Sequence, residues 1–167
     1  MFAAIQIDRQ TFLPWLPWIG TDNRSVAECI YQIERFRRNR ELRPLPEIVL
    51  GIFDRTTGNV VGGTGLHDIH PASHQAEIGY WIRADLRGRG LCAEAVAGLI
   101  AWCLAPSSEG GWGLRRLEIR CSAANVASAR VPQKLGLVEE ARLRRHRWVE
   151  GVGWDDTLIF AVVAERD

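Results

Sequence analysis

The segment Arg87-Gly88-Arg89-Gly90 has the composition of a loop that holds an anion. Its glycines let the backbone approach a ligand closely, and its arginines can add charge-assisted hydrogen bonds to phosphate. Alone, such a turn would more often be flexible and solvated. It lies, however, between a predicted strand at Gln75–Ile82 and a predicted apolar helix at Leu91–Leu104. A strand, a glycine turn and a helix N-terminus form the arrangement in which free backbone N–H groups bind phosphate.

Other chemical motifs do not fit. The loop lacks the Gly-Lys-Ser/Thr ending of a nucleotide-binding P-loop and the G-x-G-x-x-G spacing of a dinucleotide-binding turn. His67, His70 and His74 share one loop, but their spacing matches no common metal site and no cysteine or carboxylate pattern completes it. We therefore expect no metal.

The elements that position the loop alternate between helices and strands. Met1–Leu13 is predicted to be helical, and Ser25 with Glu28 predicts a capping box at the start of a second helix. Its apolar residues recur at helical spacing, namely Val26, Cys29, Ile30, Ile33 and Phe36. The remaining predictions are strands Glu47–Phe53, Val60–Leu66, Gln75–Ile82 and Leu114–Cys121, helices Leu91–Leu104 and Asn125–Leu135, and a final hairpin of Leu137–Val149 with Trp154–Ala164. The pattern predicts one mixed α/β domain over residues 1–167.

Composition narrows the function. The net charge of +1 over 167 residues creates no strong attraction to nucleic acid or to an anionic membrane. The longest apolar run, residues 95–105, is too short to span a bilayer. Four cysteines without a C-x-x-C pair, and the absence of a signal-peptide pattern, predict a cytoplasmic protein with reduced thiols.

Several ordered motifs resemble those of GNAT acetyltransferases. The family loop reads Q/R-x-x-G-x-G/A, which Arg87 and Gly90 match while Cys92 replaces the last small residue. Two later segments, Asn125-Val126-Ala127-Ser128 and Lys134-Leu135-Gly136-Leu137, are similar to motifs of the branch that contains ribosomal-protein alanine N-acetyltransferases. The early Leu13-Pro14-Trp15-Leu16-Pro17-Trp18 resembles the L-x-x-W-L-P-W segment of that branch.

This resemblance implies a mostly antiparallel sheet that splays at an acetyl-CoA site, with helices on both faces. It implies that the loop and helix start bind the cofactor through Arg87, Gly88, Arg89, Gly90, Leu91 and Cys92. Backbone N–H groups around Trp81 and Ile82 would polarise the acetyl carbonyl. The amide of Asn125 would hold the pantetheine arm, although a plain helix N-cap is an alternative for this residue.

The resemblance also suggests how the reaction proceeds. Glu77 would take a proton from the acceptor ammonium; the alternative is a solvated carboxylate at a strand end, and Asp68 is a second candidate base. Many family members place a tyrosine acid where this chain has Pro132, so Ser128 is the hydroxyl left near the sulfur. Ser128 could equally be an ordinary first-turn serine. Pro132 lies inside the predicted helix, which predicts either a kink or a local loss of the backbone bond to the Ser128 carbonyl.

Three functions remain open. The leading one is transfer of an acetyl group to a peptide N-terminus; the others are acetylation of a small amine, such as a polyamine, and a silent acyl-CoA-binding module. Trp15 and Trp18 could wall an acceptor pocket or anchor a core. The Arg142, Arg144, Arg145 and Arg147 run is typical of a solvated face. The family normally starts with a strand before the first helix, whereas this sequence starts inside the predicted helix; either the strand is absent or the true start lies upstream. A missing edge strand would leave its neighbour open to pairing with a second copy of the chain.

Overall fold

The computed structural model describes residues 1–164, which form a six-stranded sheet with helices on both faces. The helices are α1 (Phe2–Gln6), α2 (Arg9–Phe12), α3 (Trp18–Thr21), α4 (Val26–Asn39), α5 (Leu91–Leu104) and α6 (Val126–Lys134). The strands are β1 (Ile48–Phe53), β2 (Val60–His70), β3 (Gln75–Ile82), β4 (Arg116–Ser122), β5 (Val138–Val149) and β6 (Gly153–Val163). The mixed α/β fold predicted from the sequence is confirmed.

The sheet has the strand order β1-β2-β3-β4-β6-β5. All neighbouring strands are antiparallel except β3 and β4, which run parallel. This central pair is joined over only three residue pairs, ending at Glu77 with Glu118. Because β3 continues to Ile82 and β4 to Ser122, the two strands diverge beyond that pair and open a gap in the middle of the sheet.

The two faces of the sheet carry separate cores. Helices α5 and α6 cover one face, where Leu66, Ile78 and Phe160 are almost fully buried. The N-terminal helices form a second cluster around Ile5, Phe12 and Ile19, against which Trp81 packs. Since successive side chains of a strand point to opposite faces, β3 supplies residues to both cores.

Prediction and structure agree closely around the gap. Strand β3 and helix α5 have the predicted bounds. The predicted helix Met1–Leu13 is wrong in one respect, because it is interrupted between Gln6 and Arg9. At the break, the Asp8 carboxylate accepts a hydrogen bond from the Thr11 hydroxyl, the local bonding by which aspartate competes with continuous helix.

Helix α4 corrects two details. Its N-cap is Ser25, whose hydroxyl oxygen accepts from the Glu28 N–H at 3.1 Å. The reciprocal bond of a capping box is shifted by one residue, because the Glu28 carboxylate accepts from the N–H of Arg24 at 2.7 Å. The apolar stripe predicted for this helix does not face a core: Val26 and Ile30 are more than half exposed, and Cys29 and Gln32 are the buried residues.

Candidate active site

A cavity of about 630 Å³ opens where β3 and β4 diverge. Its walls come from α2, β3, the start of α5, the end of β4, one side of α6 and Arg147 of β5. It lies where a strand would otherwise fill the sheet. The gap is therefore bordered by backbone groups that have no neighbouring strand.

One end of the cavity is the glycine loop. Gly88 and Gly90 have φ values of +77° and +82°, the left-handed region that favours glycine. Gly90 is the N-cap of α5, and the first N–H that bonds back to it belongs to Glu94, at 3.0 Å. The N–H groups of Leu91, Cys92 and Ala93 therefore have no partner within the helix. This end of the cavity suits an anion.

The loop's two arginines take different positions. The Arg87 guanidinium stacks 4.9 Å from the centre of the Phe12 ring and lies 3.7 Å from the Asp8 carboxylate. It lines the cavity while joined to the N-terminal helices. Arg89 is exposed and does not line the cavity, although the sequence grouped it with the cofactor residues.

A third cation at this end was missed by the sequence reasoning. The Lys134 ammonium lies 3.3 Å from the position that a β-carbon on Gly90 would occupy. Lys134 is the only lysine of the chain, and it lines the cavity from the last turn of α6. The available signal was its place in the Lys134-Leu135-Gly136-Leu137 motif.

Cys92 lines the cavity in the first turn of α5. Burial raises the pKa of its thiol to about 12, so the thiol remains protonated at neutral pH. A neutral thiol is a small, weakly polar group. It preserves the close approach that a smaller residue would give at this position.

The register of β3 determines which of its N–H groups face the gap. The N–H of Arg83 donates to the carbonyl of Val61 on β2 at 2.9 Å. Hydrogen-bonded pairs alternate with non-bonded pairs in an antiparallel ladder, and Trp81 pairs with Gly63 in the same register. The Trp81 N–H therefore faces β2, whereas the N–H groups of Tyr80 and Ile82 face the gap. This corrects the Trp81 half of the predicted pair.

Glu77 is the last residue of β3 before the gap, and its side chain is 27% exposed. Burial raises the pKa of its carboxyl, and the Arg120 guanidinium, 3.6 Å away, opposes that rise. The negative charges of Asp68 and Glu118 repel the Glu77 carboxylate and raise its pKa further. A partly desolvated carboxylate of this kind is a stronger proton acceptor than a free one.

The opposite wall is the start of α6. Asn125 is the N-cap, and its side-chain oxygen accepts from the Ser128 N–H at 3.2 Å. The N-cap alternative for Asn125 is thus confirmed, and the residue also lines the cavity. Ser128 lines the cavity as well, and its hydroxyl oxygen lies 3.3 Å from the Tyr80 hydroxyl.

The two early tryptophans divide between the two roles considered for them. Trp15 lines the cavity, together with Leu16 and Phe12. Trp18 packs instead against the N-terminal cluster around Ile19.

Within the basic run of β5, Arg142 pairs with Asp156 at 2.7 Å, as expected of a solvated face. Arg147 is an exception because it lines the cavity.

The family of the chain follows from its sequence match. Residues 1–138 match the family described as Acetyltransferase (GNAT) domain. The chain belongs to the GNAT acetyltransferase family. The reaction of this family is acetyl-CoA-dependent N-acetylation of an amine.

Individual relatives agree with this assignment. The chain is 29% identical over 106 residues to a ribosomal-protein-serine acetyltransferase of Escherichia coli, a match covering 64% of this chain and 56% of that protein. It is similar to Mycobacterium smegmatis RimJ in complex with CoA-disulfide, with 27% identity, a TM-score of 0.78, and coverage of 98% of this chain and 76% of RimJ. RimL, a ribosomal L7/L12 α-N-protein acetyltransferase in complex with coenzyme A, shares the fold at 19% identity and a TM-score of 0.83, covering 99% and 88%. These neighbours support the branch indicated by the sequence motifs.

The GNAT cavity fits acetyl-CoA on structural grounds. Left-handed glycines leave the helix N-terminus open, and Lys134 adds positive charge beside Gly90. The N–H groups of Tyr80 and Ile82 border the gap, where an extended chain could add to the edge of β3. Among residues 1–164, no three histidine, cysteine or acidic side chains come together as metal ligands. Within the same residues, no helix combines the length and apolar character needed to cross a membrane.

Proposed function

We propose that this GNAT enzyme acetylates a primary amine by direct attack in a ternary complex, with the N-terminal amine of a peptide as its acceptor. The observation that carries the proposal is the placement of Glu77 at the point where β3 and β4 separate. The carboxylate borders the same cavity as the glycine loop and Ser128. A base, an anion site and a hydroxyl thus lie along one channel.

The cofactor-binding role is assigned to residues that line the channel. The pyrophosphate would lie at the N-terminus of α5, held by the free backbone N–H groups and by Lys134 and Arg87. The cofactor residues predicted from the sequence that line the cavity are Trp81, Ile82, Arg87, Gly88, Gly90, Leu91, Cys92, Asn125 and Ser128. Arg89 is exposed and does not line the cavity, so we assign it no contact with the cofactor.

Acetyl-CoA supplies a thioester whose carbonyl carbon an amine can attack. The amine must first be neutral, and Glu77 would take its proton directly or through one water. The N–H groups of Tyr80 and Ile82 would stabilise negative charge on the acyl oxygen, as backbone donors do in an oxyanion hole. Ser128 would donate a hydrogen bond to the departing sulfur. Its contribution should be smaller than that of Glu77, since a thiolate leaves readily.

A peptide acceptor is favoured by the composition of the cavity. Apolar Trp15 and Leu16 line it together with charged Glu77, Arg120 and Arg147, so the cavity can contact both the backbone and the side chains of an extended chain. Two of the named proteins, the ribosomal-protein-serine acetyltransferase and RimL, act on ribosomal proteins, which suggests a protein acceptor for this chain. We propose that the reaction takes place in the cytoplasm. A second copy of the chain is a candidate partner.

A panel of amines would test the acceptor. The panel contains peptides with N-terminal alanine or serine, the same peptides with a blocked N-terminus, spermidine and an aminoglycoside. Release of free CoA thiol is followed together with the mass of the acceptor. We expect turnover of the free peptides and none of the blocked peptides. Turnover of a small amine without the peptides would replace the peptide assignment, and binding of acetyl-CoA without any turnover would favour a silent acyl-CoA-binding module.

A further inference from the structure

The carbonyl of Ser128 makes an unusual hydrogen bond for a residue inside a helix. It accepts from the phenol hydroxyl of Tyr80 at 2.9 Å. In a regular helix this carbonyl would accept from the N–H four residues later, which here belongs to Pro132. Proline has no N–H. Pro132 thereby leaves the Ser128 carbonyl free for Tyr80, while α6 remains continuous from Val126 to Lys134.

The same phenol also contacts the Ser128 side chain. The Ser128 hydroxyl donates to the Tyr80 oxygen at 3.3 Å, so one tyrosine engages both the main chain and the side chain of one serine. A serine in a helix commonly turns its hydroxyl back to a carbonyl of the preceding turn. The Tyr80 oxygen provides an alternative acceptor that lies towards β3 and the cavity.

These two bonds connect opposite sides of the gap in the sheet. Tyr80 belongs to β3, which carries Glu77, and Ser128 belongs to α6, which follows β4. Beyond Glu77 the two strands no longer pair, so the distance between β3 and α6 depends on side-chain contacts such as this one. The contact therefore sets where the Ser128 hydroxyl lies relative to the groups on β3.

We infer that Tyr80 is a positioning residue that acts through Ser128 and holds the serine hydroxyl at the sulfur end of the channel. When the carbon–sulfur bond breaks, the electron pair stays on sulfur as a thiolate. The Ser128 O–H turns to donate a hydrogen bond to that sulfur and keeps its proton. Tyr80 continues to donate to the Ser128 carbonyl, so the serine backbone does not move during this turn.

The state of the phenol is consistent with this role. Burial raises the pKa of Tyr80 well above its usual value, while the hydrogen bond from Ser128 opposes part of the rise. The phenol therefore remains a neutral donor across the pH range of the reaction. Its proton is directed to a carbonyl oxygen, so Tyr80 is not itself available to protonate the sulfur.

The experiment is a double-mutant cycle of Tyr80→Phe and Ser128→Ala, and it rests on the proposed acetyl transfer. Tyr80→Phe removes only the hydroxyl. We expect it to lower kcat by about tenfold, the rate equivalent of one neutral hydrogen bond, while the KM for acetyl-CoA changes by less than about twofold. In the Ser128→Ala background, Tyr80→Phe should add almost nothing, because the hydroxyl it positions is gone.

A matched control is the chain's only other tyrosine. Tyr31 lies on α4 with 61% of its surface exposed, so Tyr31→Phe should leave kcat unchanged. Rates are normalised to the fraction of protein that binds CoA, which separates loss of folded protein from loss of turnover. The inference is overturned if Tyr80→Phe keeps the wild-type kcat, or if it costs the same factor with serine and with alanine at position 128. Failure of the wild-type chain to acetylate any amine would instead overturn the proposed function.

Discussion

The ammonium of Lys134 lies 3.3 Å from the point where a β-carbon on Gly90 would stand. The Lys134 side chain thus reaches from the last turn of α6 to the N-terminus of α5. A side chain at position 90 would occupy the space between a cation and the free backbone N–H groups. The geometry gives a direct way to block the anion site while leaving the rest of the fold in place.

Gly90→Val should abolish the rise in Tm that CoA causes in the wild-type protein. CoA stabilises the native state by mass action, and a valine would both block backbone approach and displace Lys134. The measurement is Tm by differential scanning fluorimetry across a CoA titration.

The control for this variant is Gly110→Val. Gly110 has a φ of +81°, close to the +82° of Gly90, but nothing lies within 4 Å of its β-carbon position. Both variants carry the same backbone strain, so both should lower the Tm of the free protein. Only Gly90→Val should lose the response to CoA, and a full response in that variant would refute the loop assignment.

Lys134→Gln should weaken CoA binding by about tenfold, as expected for loss of one charge-assisted hydrogen bond. Arg89→Gln is the control, because Arg89 lies beside the same loop but does not line the cavity. Calorimetric titration at two salt concentrations would measure both. The effect of salt on the Kd should be smaller in Lys134→Gln than in the wild type. Equal losses in the two variants would show that general charge, rather than the position of Lys134, controls binding.

Glu77→Gln should lower kcat/KM by roughly 10²–10⁴-fold at neutral pH, the usual contribution of a general base. The loss should shrink as pH rises, because more of the acceptor amine is then already neutral. Asp68→Asn is the comparison variant and should cost much less. Near-wild-type turnover by Glu77→Gln, with impaired Asp68→Asn, would move the base to Asp68.

Glu77 should also affect stability in a pH-dependent way. Burial raises its pKa in the folded state, so the folded protein holds this proton more tightly than the unfolded chain does. The stabilisation from protonated Glu77 is complete below the unfolded-state pKa, and it is lost as pH rises through the folded-state pKa. Glu77→Gln should therefore gain stability relative to the wild type as pH rises from 4 to 8, as measured by urea unfolding. If the stability of Glu77→Gln instead falls relative to the wild type as pH rises, attraction to Arg120 outweighs burial and lowers the pKa of Glu77 in the folded state.

Trp15→Ala and Trp18→Ala should separate acceptor binding from folding. Trp15 lines the cavity, so its loss should raise the KM for a peptide acceptor while CoA binding is unchanged. Trp18 packs in the N-terminal cluster, so its loss should lower Tm with little change in the peptide KM. Steady-state kinetics and thermal unfolding of both variants would decide. A large Tm loss with an unchanged KM in Trp15→Ala would return that residue to the core.

The sequence predicted the elements near the gap well because their signals are local. Helix α5 is apolar on nearly all sides and follows a glycine turn, and β3 alternates between two buried faces, so both have the predicted bounds. The prediction that the apolar residues of α4 face a core is wrong. Helical spacing identifies which residues share a face of the helix, but it does not show which face is covered by the rest of the protein. There, Gln32 is buried and Ile30 is exposed.

Contacts between distant residues could not be read from spacing. Glu77 and Ser128 were predicted from the family resemblance, and both line the cavity, but the Tyr80 bond to the Ser128 carbonyl joins residues 48 positions apart. Its one sequence signal was Pro132, which predicts a carbonyl without its helical partner but does not name the replacement. The Trp81 amide was misassigned because the direction of an N–H depends on strand register.

The three-pair junction between β3 and β4 has a mechanical consequence. The sheet is two ribbons of three strands each, β1-β2-β3 and β4-β6-β5, held together at one short seam. A ligand that spans the gap would connect the two ribbons beyond the three residue pairs that join them in the free protein. The amides of Tyr80 and Ile82, which face the gap, should then exchange with solvent faster than those of β2 in the free protein, and slow down when the gap is filled.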